Sequence, residues 1–274
     1  MDLTSAVQLN NGVTMPWLGL GVFKSGPGEE TEQAVRWALE IGYRHVDTAA
    51  YYENEADVGR AIADSGVPRE KIFITTKVWN TDQGYESTLK AFDRSRRNLG
   101  VDVVDLYLVH WPVKGKYVET WRALEKLLAD GKVRAIGVSN FLAHHLEDLM
   151  KASSVVPAVN QVEFHPFLVQ EDLLAFDIRT GIQPEAWSPL TRARNLNHPI
   201  IVDIARKHGR TPAQVVLRWD LQKGVVTIPK SIHRDRILEN SRVFDFELEK
   251  AEVAKISSLD AAQRIGPHPD NITF

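Results

Sequence analysis

Short apolar runs alternate with amphipathic stretches along almost the whole chain. The runs are rich in Val and Ile, as expected for strands that are buried on both faces of a parallel sheet. The stretches between them carry apolar residues at helical spacing. One such stripe consists of Trp121, Leu124, Leu127 and Leu128. This pattern predicts eight strands: Trp17–Leu20, Arg44–Asp47, Ile72–Lys77, Val103–His110, Val133–Ser139, Ala158–Glu163, Gln183–Trp187 and Val225–Pro229.

The intervening stretches predict nine helices. They are Thr31–Ile41, Ala56–Ser65, Tyr85–Asn98, Tyr117–Asp130, Ala143–Lys151, Gln170–Thr180, Pro199–His208, Pro212–Gln222 and Arg234–Ser241. Glycine follows several of them, as Gly42 does, because a left-handed residue commonly ends a helix. Before the first strand, Val7–Leu9 and Val13–Trp17 flank an Asn-Gly turn, which predicts a β-hairpin.

Eight strand–helix units over this length predict an α/β fold of the (β/α)8 barrel type. We expect a single domain over residues 1–274, because no linker rich in Pro, Gly or Ser divides the chain. The hairpin is expected to plug the bottom of the barrel, and the tail, residues 260–274, to wrap the barrel or cover the site. Gly19-Leu20-Gly21 begins like a dinucleotide fingerprint, but position 24 is Lys, so a Rossmann domain is not expected.

Composition and charge narrow the possible functions. The chain has 274 residues, of which 43% are hydrophobic, and a net charge of -3 with scattered Lys and Arg. We therefore expect neither nucleic acid nor a membrane as a partner. No cysteine is present, which excludes disulfides, thiolate metal sites and cysteine nucleophiles. The first twelve residues lack a basic start and an apolar stretch, so we expect a soluble, cytoplasmic protein.

Candidate catalytic residues stand at the ends of three predicted strands: Asp47, Lys77 and His110. The carboxyl ends of parallel strands gather at one face, and Tyr52 follows Asp47 closely enough to reach it. A free phenol has a pKa of about 10, which a neighbouring Lys77 ammonium would lower. Asp47 would keep Lys77 charged, and His110 would donate to a substrate oxygen. This set suits proton transfer to a polarised carbonyl.

Two other functions remain open from these residues alone. His45 and Asp47 lie on one face of a strand, and His110 and His165 would complete the ligand set of a metal-dependent hydrolase. We expect no metal, because Lys77 would lie among those ligands. A fold can also keep a cofactor site without fast chemistry, so a nucleotide-sensing subunit is the third hypothesis.

Five segments of the chain also carry a family resemblance. They are Gly42–Ala49 with Tyr52–Glu55, Leu106–Pro112, Ile136–Phe141, Asn160–Pro166, and Ile228–Ser231 with Arg236, Glu239 and Asn240. In order and spacing the sequence resembles the aldo-keto reductase superfamily, and among its members the bacterial type similar to diketogluconate reductase and to prostaglandin F synthase-like enzymes. The resemblance implies a monomeric, NADPH-dependent reductase of aldehydes and ketones on a (β/α)8 barrel, with Tyr52 as the general acid.

The resemblance also implies a binding site for NADPH (NADP+). Ser139, Asn140 and Gln161 would hydrogen-bond the nicotinamide carboxamide, and Trp187 would stack on the nicotinamide ring. The 2′-phosphate would meet Lys230, Ser231 and Arg236, with Glu239 and Asn240 near the adenine. The remaining cofactor contacts are Gly21, Val22, Asp47, Ser188 and Leu190. Two cations and a hydroxyl suit a phosphate dianion, which favours NADPH over NADH.

The substrate pocket is expected to have aromatic walls. Phe23, Tyr51, Trp79 and Trp111 lie at or just after strand ends, and such walls favour an apolar or flat small-molecule carbonyl compound. The same residues are equally compatible with ordinary packing. The stretch Arg264–Pro269 is expected to complete the pocket.

Two positions depart from the family pattern. Thr191-Arg192-Ala193-Arg194 stands where many relatives have a glycine-containing loop over the pyrophosphate, so Arg192 and Arg194 either pair with phosphates or face water. Position 51 is Tyr where relatives often have an aliphatic residue, so two neighbouring phenols are candidates for the acid. The spacing from Asp47 favours Tyr52 over Tyr51.

Overall fold

The computed structural model describes residues 1–272 of the chain. Two strands form an antiparallel hairpin: β1 (Ala6–Gln8) and β2 (Thr14–Pro16). Eight further strands form one parallel sheet: β3 (Leu20–Gly21), β4 (His45–Asp47), β5 (Phe73–Val78), β6 (Val104–Val109), β7 (Val133–Ser139), β8 (Val159–Glu163), β9 (Gln183–Trp187) and β10 (Val226–Thr227). The helices are α1 (Glu29–Ile41), α2 (Glu55–Asp64), α3 (Tyr85–Leu99), α4 (Tyr117–Ala129), α5 (Ala143–Ala152), α6 (Glu171–Arg179), α7 (Pro199–His208), α8 (Pro212–Gln222), α9 (Arg234–Ser241) and α10 (Lys250–Ser257).

The parallel strands follow one another in chain order, and the two outermost strands also meet. Leu18 pairs with Thr227 and Gly21 pairs with Lys230 in parallel bridges. The N–H of Gly19 donates to the carbonyl oxygen of Thr227 at 3.0 Å. The sheet therefore closes on itself, which confirms the predicted (β/α)8 barrel and brings the carboxyl ends of all eight strands to one face.

The hairpin packs at the opposite end of the barrel. Leu9 and Met15 are buried against Phe73, Val159 and Val226, which stand at the first positions of their strands. These apolar contacts exclude water from the bottom of the barrel. The larger core lies between the barrel and the surrounding helices, where the rings of Phe164 and Trp219 stack with centroids 4.8 Å apart.

Most predicted elements are present, with ends that differ by a few residues. The predicted strand Val225–Pro229 shortens to β10, because proline has no N–H to donate to a ladder. Helix α10 was not predicted, and neither were the 3-10 turns such as Ala50–Tyr52 and Pro269–Asn271. Of the predicted tail, residues 273 and 274 lie outside the described part of the chain. No helix within residues 1–272 has the length and apolar character needed to cross a membrane.

Candidate active site

A pocket of about 910 Å³ opens at the carboxyl ends of the barrel strands. Most of the residues that the sequence singled out line it. They are Gly21, Phe23, Asp47, Tyr51, Tyr52, Trp79, His110, Trp111, Ser139, Asn140, Gln161, Trp187, Ser188, Leu190, Lys230, Ser231, Arg236, Glu239 and Asn240. Two of the residues expected to have a catalytic or cofactor-binding role do not line it: Val22 is buried beside Asp47, to whose carbonyl oxygen its N–H donates, and Lys77 lies buried beneath the pocket floor.

The floor of the pocket is built on a buried ion pair. Nζ of Lys77 donates to both carboxylate oxygens of Asp47, at 2.7 and 2.8 Å, and to the carbonyl oxygen of Thr48 at 2.9 Å. These bonds satisfy all three donors of the ammonium. Burial opposes the charge of Lys77, but Asp47 and the phenol of Tyr52 outweigh it and raise the pKa of Lys77. Lys77 therefore keeps its charge beneath the pocket.

Tyr52 lies above this pair, on the turn that follows β4. Nζ of Lys77 is 5.1 Å from the centroid of the Tyr52 ring, and the ring of His110 is 5.8 Å away. Burial raises the pKa of Tyr52 to about 12, although Lys77 opposes the rise. The expectation that Lys77 would lower the pKa of Tyr52 is therefore wrong for the net shift, because the desolvation of the phenol outweighs the effect of the ammonium. At neutral pH the phenol keeps the proton that a general acid donates.

His110 is the second polar group that faces Tyr52. Burial and the charge of Lys77 hold the pKa of His110 well below its usual value. The imidazole is therefore neutral at physiological pH, and one of its two nitrogens carries a proton. A neutral imidazole can donate that proton in a hydrogen bond to a substrate oxygen without giving it up.

Beneath these groups, one amide joins two carboxylates. Nε2 of Gln161 donates to Oδ2 of Asp47 and to Oε2 of Glu185, both at 2.8 Å. Burial and the charge of Asp47 raise the pKa of Glu185 to about 8. The sequence interpretation missed Glu185. The signal is its place two residues before Trp187 on β9, since alternate residues of a strand share a face.

A chain of hydrogen bonds holds the indole of Trp187 at the pocket wall. Nε1 of Trp187 donates to Oδ1 of Asn140 at 2.8 Å, and Nδ2 of Asn140 donates to Oγ of Ser139 and to the carbonyl oxygen of His110, both at 3.0 Å. Ser139 in turn donates to the carbonyl oxygen of Gln161 at 2.9 Å. The predicted nicotinamide-binding residues are thus brought together in one network.

The other end of the pocket is cationic. Lys230, Ser231 and Arg236 line it at the start of α9, and helix N-termini favour anions. Glu239 lies near them and accepts a hydrogen bond from Oγ1 of Thr211 at 2.8 Å. Arg192 lines the same pocket, whereas Arg194 does not. Thr191, Arg192 and Ala193 all have positive φ, an unfavourable conformation for residues other than glycine.

The remaining wall is aromatic. The rings of Tyr51 and Trp79 stack with centroids 3.8 Å apart, and Trp79 meets His110 edge-on at 5.0 Å. The ring centroids of Phe23 and Tyr52 are 4.9 Å apart. The pocket also has lining residues that the site prediction left out. They are Lys24, Pro189, Ala193, Leu196, Ala213, Ile228 and Pro229. Gly266 and Pro267 also line it, and they belong to the stretch Arg264–Pro269 that was expected to complete the pocket.

The ligand set of the metal hypothesis is not brought together. Nε2 of His45 bonds Oγ1 of Thr75 at 3.1 Å, and Nε2 of His165 bonds Oε1 of Glu163 at 3.1 Å. Within residues 1–272, the histidine and carboxylate atoms that cluster closely enough for one ion belong instead to His144, His145 and Asp270. Without that ligand set, the arrangement of the pocket instead favours proton transfer next to an anionic ligand of nucleotide size.

Comparison with known proteins agrees with this geometry. The sequence model of the aldo/keto reductase family matches residues 17–261. The chain belongs to this family. It is 56% identical over 273 residues to a glyoxal reductase of Bacillus subtilis (strain 168), covering 100% of this chain and 99% of that protein. It is 54% identical to a 9,11-endoperoxide prostaglandin H2 reductase of Trypanosoma cruzi (strain CL Brener), covering 97% and 95% of the two chains.

A solved structure with bound NADPH has the same fold over nearly its whole length. The mutant of Gox0644 that was crystallised in complex with NADPH superposes with a TM-score of 0.94 at 46% identity, covering 98% of this chain and 99% of that one. The family membership expected from the sequence motifs is thus confirmed, and so is the barrel.

Proposed function

We propose that this protein reduces aldehydes and ketones to alcohols with NADPH. The observation that carries the proposal is the set of Tyr52, Lys77, Asp47 and His110 at the floor of a pocket whose far end is cationic. NADPH, when bound, supplies the hydride from C4 of its nicotinamide ring. The relatives named above as reductases and the NADPH complex of Gox0644 support the same activity for this chain.

The residues of the pocket fit such a cofactor at both ends. Lys230, Ser231 and Arg236 offer two cations and a hydroxyl where a 2′-phosphate would bind. At the other end, the hydrogen-bonded Asn140 and the indole of Trp187 offer polar partners and a flat face for the nicotinamide. The volume of about 910 Å³ leaves space for a small substrate beside the cofactor.

In the proposed reaction the substrate oxygen lies between Tyr52 and His110. His110 donates a hydrogen bond that polarises the carbonyl, and Tyr52 gives its proton to the oxygen as the carbon accepts the hydride. Lys77 stabilises the phenolate that remains, because its ammonium favours the charged form of Tyr52. Asp47 holds Lys77 in place through both carboxylate oxygens.

The aromatic wall supports an apolar or flat carbonyl compound as the substrate. The test is a panel of aldehydes, ketones and dicarbonyls, glyoxal among them, with NADPH consumption followed by absorbance. Turnover with several members is the expected result. Tight NADPH binding without turnover on any of them would favour the nucleotide-sensing alternative. The monomeric state and the cytoplasmic location belong to the same proposal, and analytical ultracentrifugation and cell fractionation test them.

Arg236→Ala is expected to separate the two nicotinamide cofactors. A charge-assisted bond from arginine to the 2′-phosphate is worth about 10- to 100-fold in affinity, and NADH has no phosphate to lose. The dissociation constant for NADPH should rise by that factor while the constant for NADH changes little, as measured by fluorescence titration. Arg234→Ala, on the same helix but outside the pocket, is the control. Equal weakening of both cofactors would remove Arg236 from phosphate recognition.

A further inference from the structure

Residues 261–267, the C-terminal strap, cross the rim of the pocket. The N–H groups of Ala261 and Gln263 both donate to the carbonyl oxygen of Phe167, at 3.2 and 3.0 Å. At the far end of the strap, Gly266 and Pro267 line the pocket itself. The strap is therefore hydrogen-bonded to the barrel before it reaches the pocket. A second attachment lies at the rim of the pocket itself.

That second attachment is the carboxylate of Glu163, the last residue of β8. Its Oε1 accepts the N–H of Ile265 at 2.5 Å, and its Oε2 accepts the N–H of Gly266 at 3.0 Å. Glu163 is 1% exposed, and burial alone would raise its pKa, but His165 and the two N–H groups together lower it. A buried, ionised carboxylate thus holds two consecutive backbone amides of the strap.

The attachment also holds Gly266 of the strap close to the indole of Trp187. A Cβ built on Gly266 would lie 2.5 Å from Cη2 of Trp187 and 3.3 Å from Oε2 of Glu163. No side chain fits there without a shift of the indole or of the strap. The other edge of the indole is held by Asn140, so Trp187 is fixed from two sides.

We propose that Glu163 is a positioning residue that, by holding Ile265 and Gly266, fixes both the wall that the substrate meets and the indole on which the nicotinamide stacks. The proposal rests on the proposed carbonyl reduction. Glu163 touches neither substrate nor cofactor in it. Its carboxylate acts through the strap, which supplies Pro267 to the wall, and through Gly266, which limits the position of Trp187.

Beyond the strap, Asp270 meets two histidines of α5, His144 and His145. This second contact of the chain end provides a control for the proposal. Nε2 of His144 and Nε2 of His145 lie 2.9 and 3.3 Å from Oδ1 of Asp270. The N–H of Leu142 donates to Nδ1 of His145, which places the ring proton on Nε2. This nitrogen, 3.3 Å from Oδ1 of Asp270, offers no lone pair to a metal, so the cluster is a further attachment of the chain end.

The first test measures how firmly Glu163 holds the backbone of the strap. In Glu163→Gln one carboxylate oxygen becomes an NH2 group, which cannot accept from a backbone N–H. Hydrogen–deuterium exchange at residues 265–266 should therefore be about 10- to 100-fold faster than in the wild type. Glu171→Gln, a surface carboxylate paired with Lys223, is the matched control and should leave this exchange unchanged. Unchanged exchange in Glu163→Gln would overturn the proposal whether or not the protein reduces carbonyls.

The second test measures the effect of the strap on substrate and cofactor binding. Glu163→Gln should raise the KM of a bulky aromatic aldehyde by about tenfold and that of a small dicarbonyl much less, with kcat kept within about threefold. Gly266→Ala should change Trp187 fluorescence and weaken NADPH by about tenfold, because the indole must move. Asp270→Asn, which loosens the attachment to α5, should do neither.

The outcomes separate the two proposals. A wild-type protein without turnover on any carbonyl would contradict the proposed function, while the exchange and fluorescence measurements would still decide the role of Glu163. Equal KM changes for large and small substrates, or a Gly266→Ala variant with unaltered NADPH affinity, would show that the strap does not set the pocket.

Discussion

Tyr52→Phe is expected to lower the turnover of carbonyl reduction by about 100- to 10,000-fold, the usual contribution of a general acid. The substitution removes one hydroxyl and keeps the ring that packs against Phe23 and His110. Burial raises the pKa of Tyr52 to about 12, so the phenol holds its proton throughout the neutral range and is available as the donor. NADPH absorbance measures the loss.

Tyr51→Phe provides the matched control. Tyr51 is the neighbouring phenol, is half-exposed and stacks on Trp79, so the variant keeps the aromatic wall and removes only a hydroxyl. It should lose far less turnover than Tyr52→Phe, and both variants should bind NADPH with wild-type affinity by fluorescence titration. Comparable losses in the two variants would leave the identity of the acid undecided between them, and full activity in Tyr52→Phe would exclude it.

The barrel was predictable because several strands, such as β6 and β7, are short runs rich in apolar residues that local composition reveals. Helices α7 and α8 begin and end as predicted, since Pro199 and Pro212 stand at first helical positions and Gly209 ends α7. Helix α10 gives no such signal. Of its apolar residues only Ile256 is buried, so no hydrophobic stripe marks it in the sequence.

The meeting of the residues proposed to be catalytic was predictable for a related reason. Asp47, Lys77 and His110 all stand at the carboxyl ends of strands, and parallel strands bring those ends to one face whatever the details of packing. The net pKa of Tyr52 was not predictable, because it depends on how completely other segments cover the ring. The attachment of Gly266 by Glu163 joins residues 103 positions apart, and nothing in either local sequence indicates the other.

Lys77→Met is expected to damage both stability and turnover, for two different reasons. It leaves the carboxylate of Asp47 buried without its cation, which costs about 3 kcal/mol in the free energy of unfolding when one partner of a buried pair is removed. It also removes the charge that favours the phenolate of Tyr52, so turnover should fall by about 100-fold or more. Urea denaturation and NADPH absorbance measure the two effects.

The double variant Asp47→Asn/Lys77→Met separates those reasons. Replacing both members of the pair removes the unpaired charge, and Oδ1 of Asn at position 47 can still accept the hydrogen bond from Nε2 of Gln161. Most of the lost stability should therefore return, while turnover stays as low as in Lys77→Met, because the phenolate still lacks its ammonium. Recovery of turnover together with stability would show that Lys77 serves only the fold, and the proposed chemistry would then need another source of charge beside Tyr52.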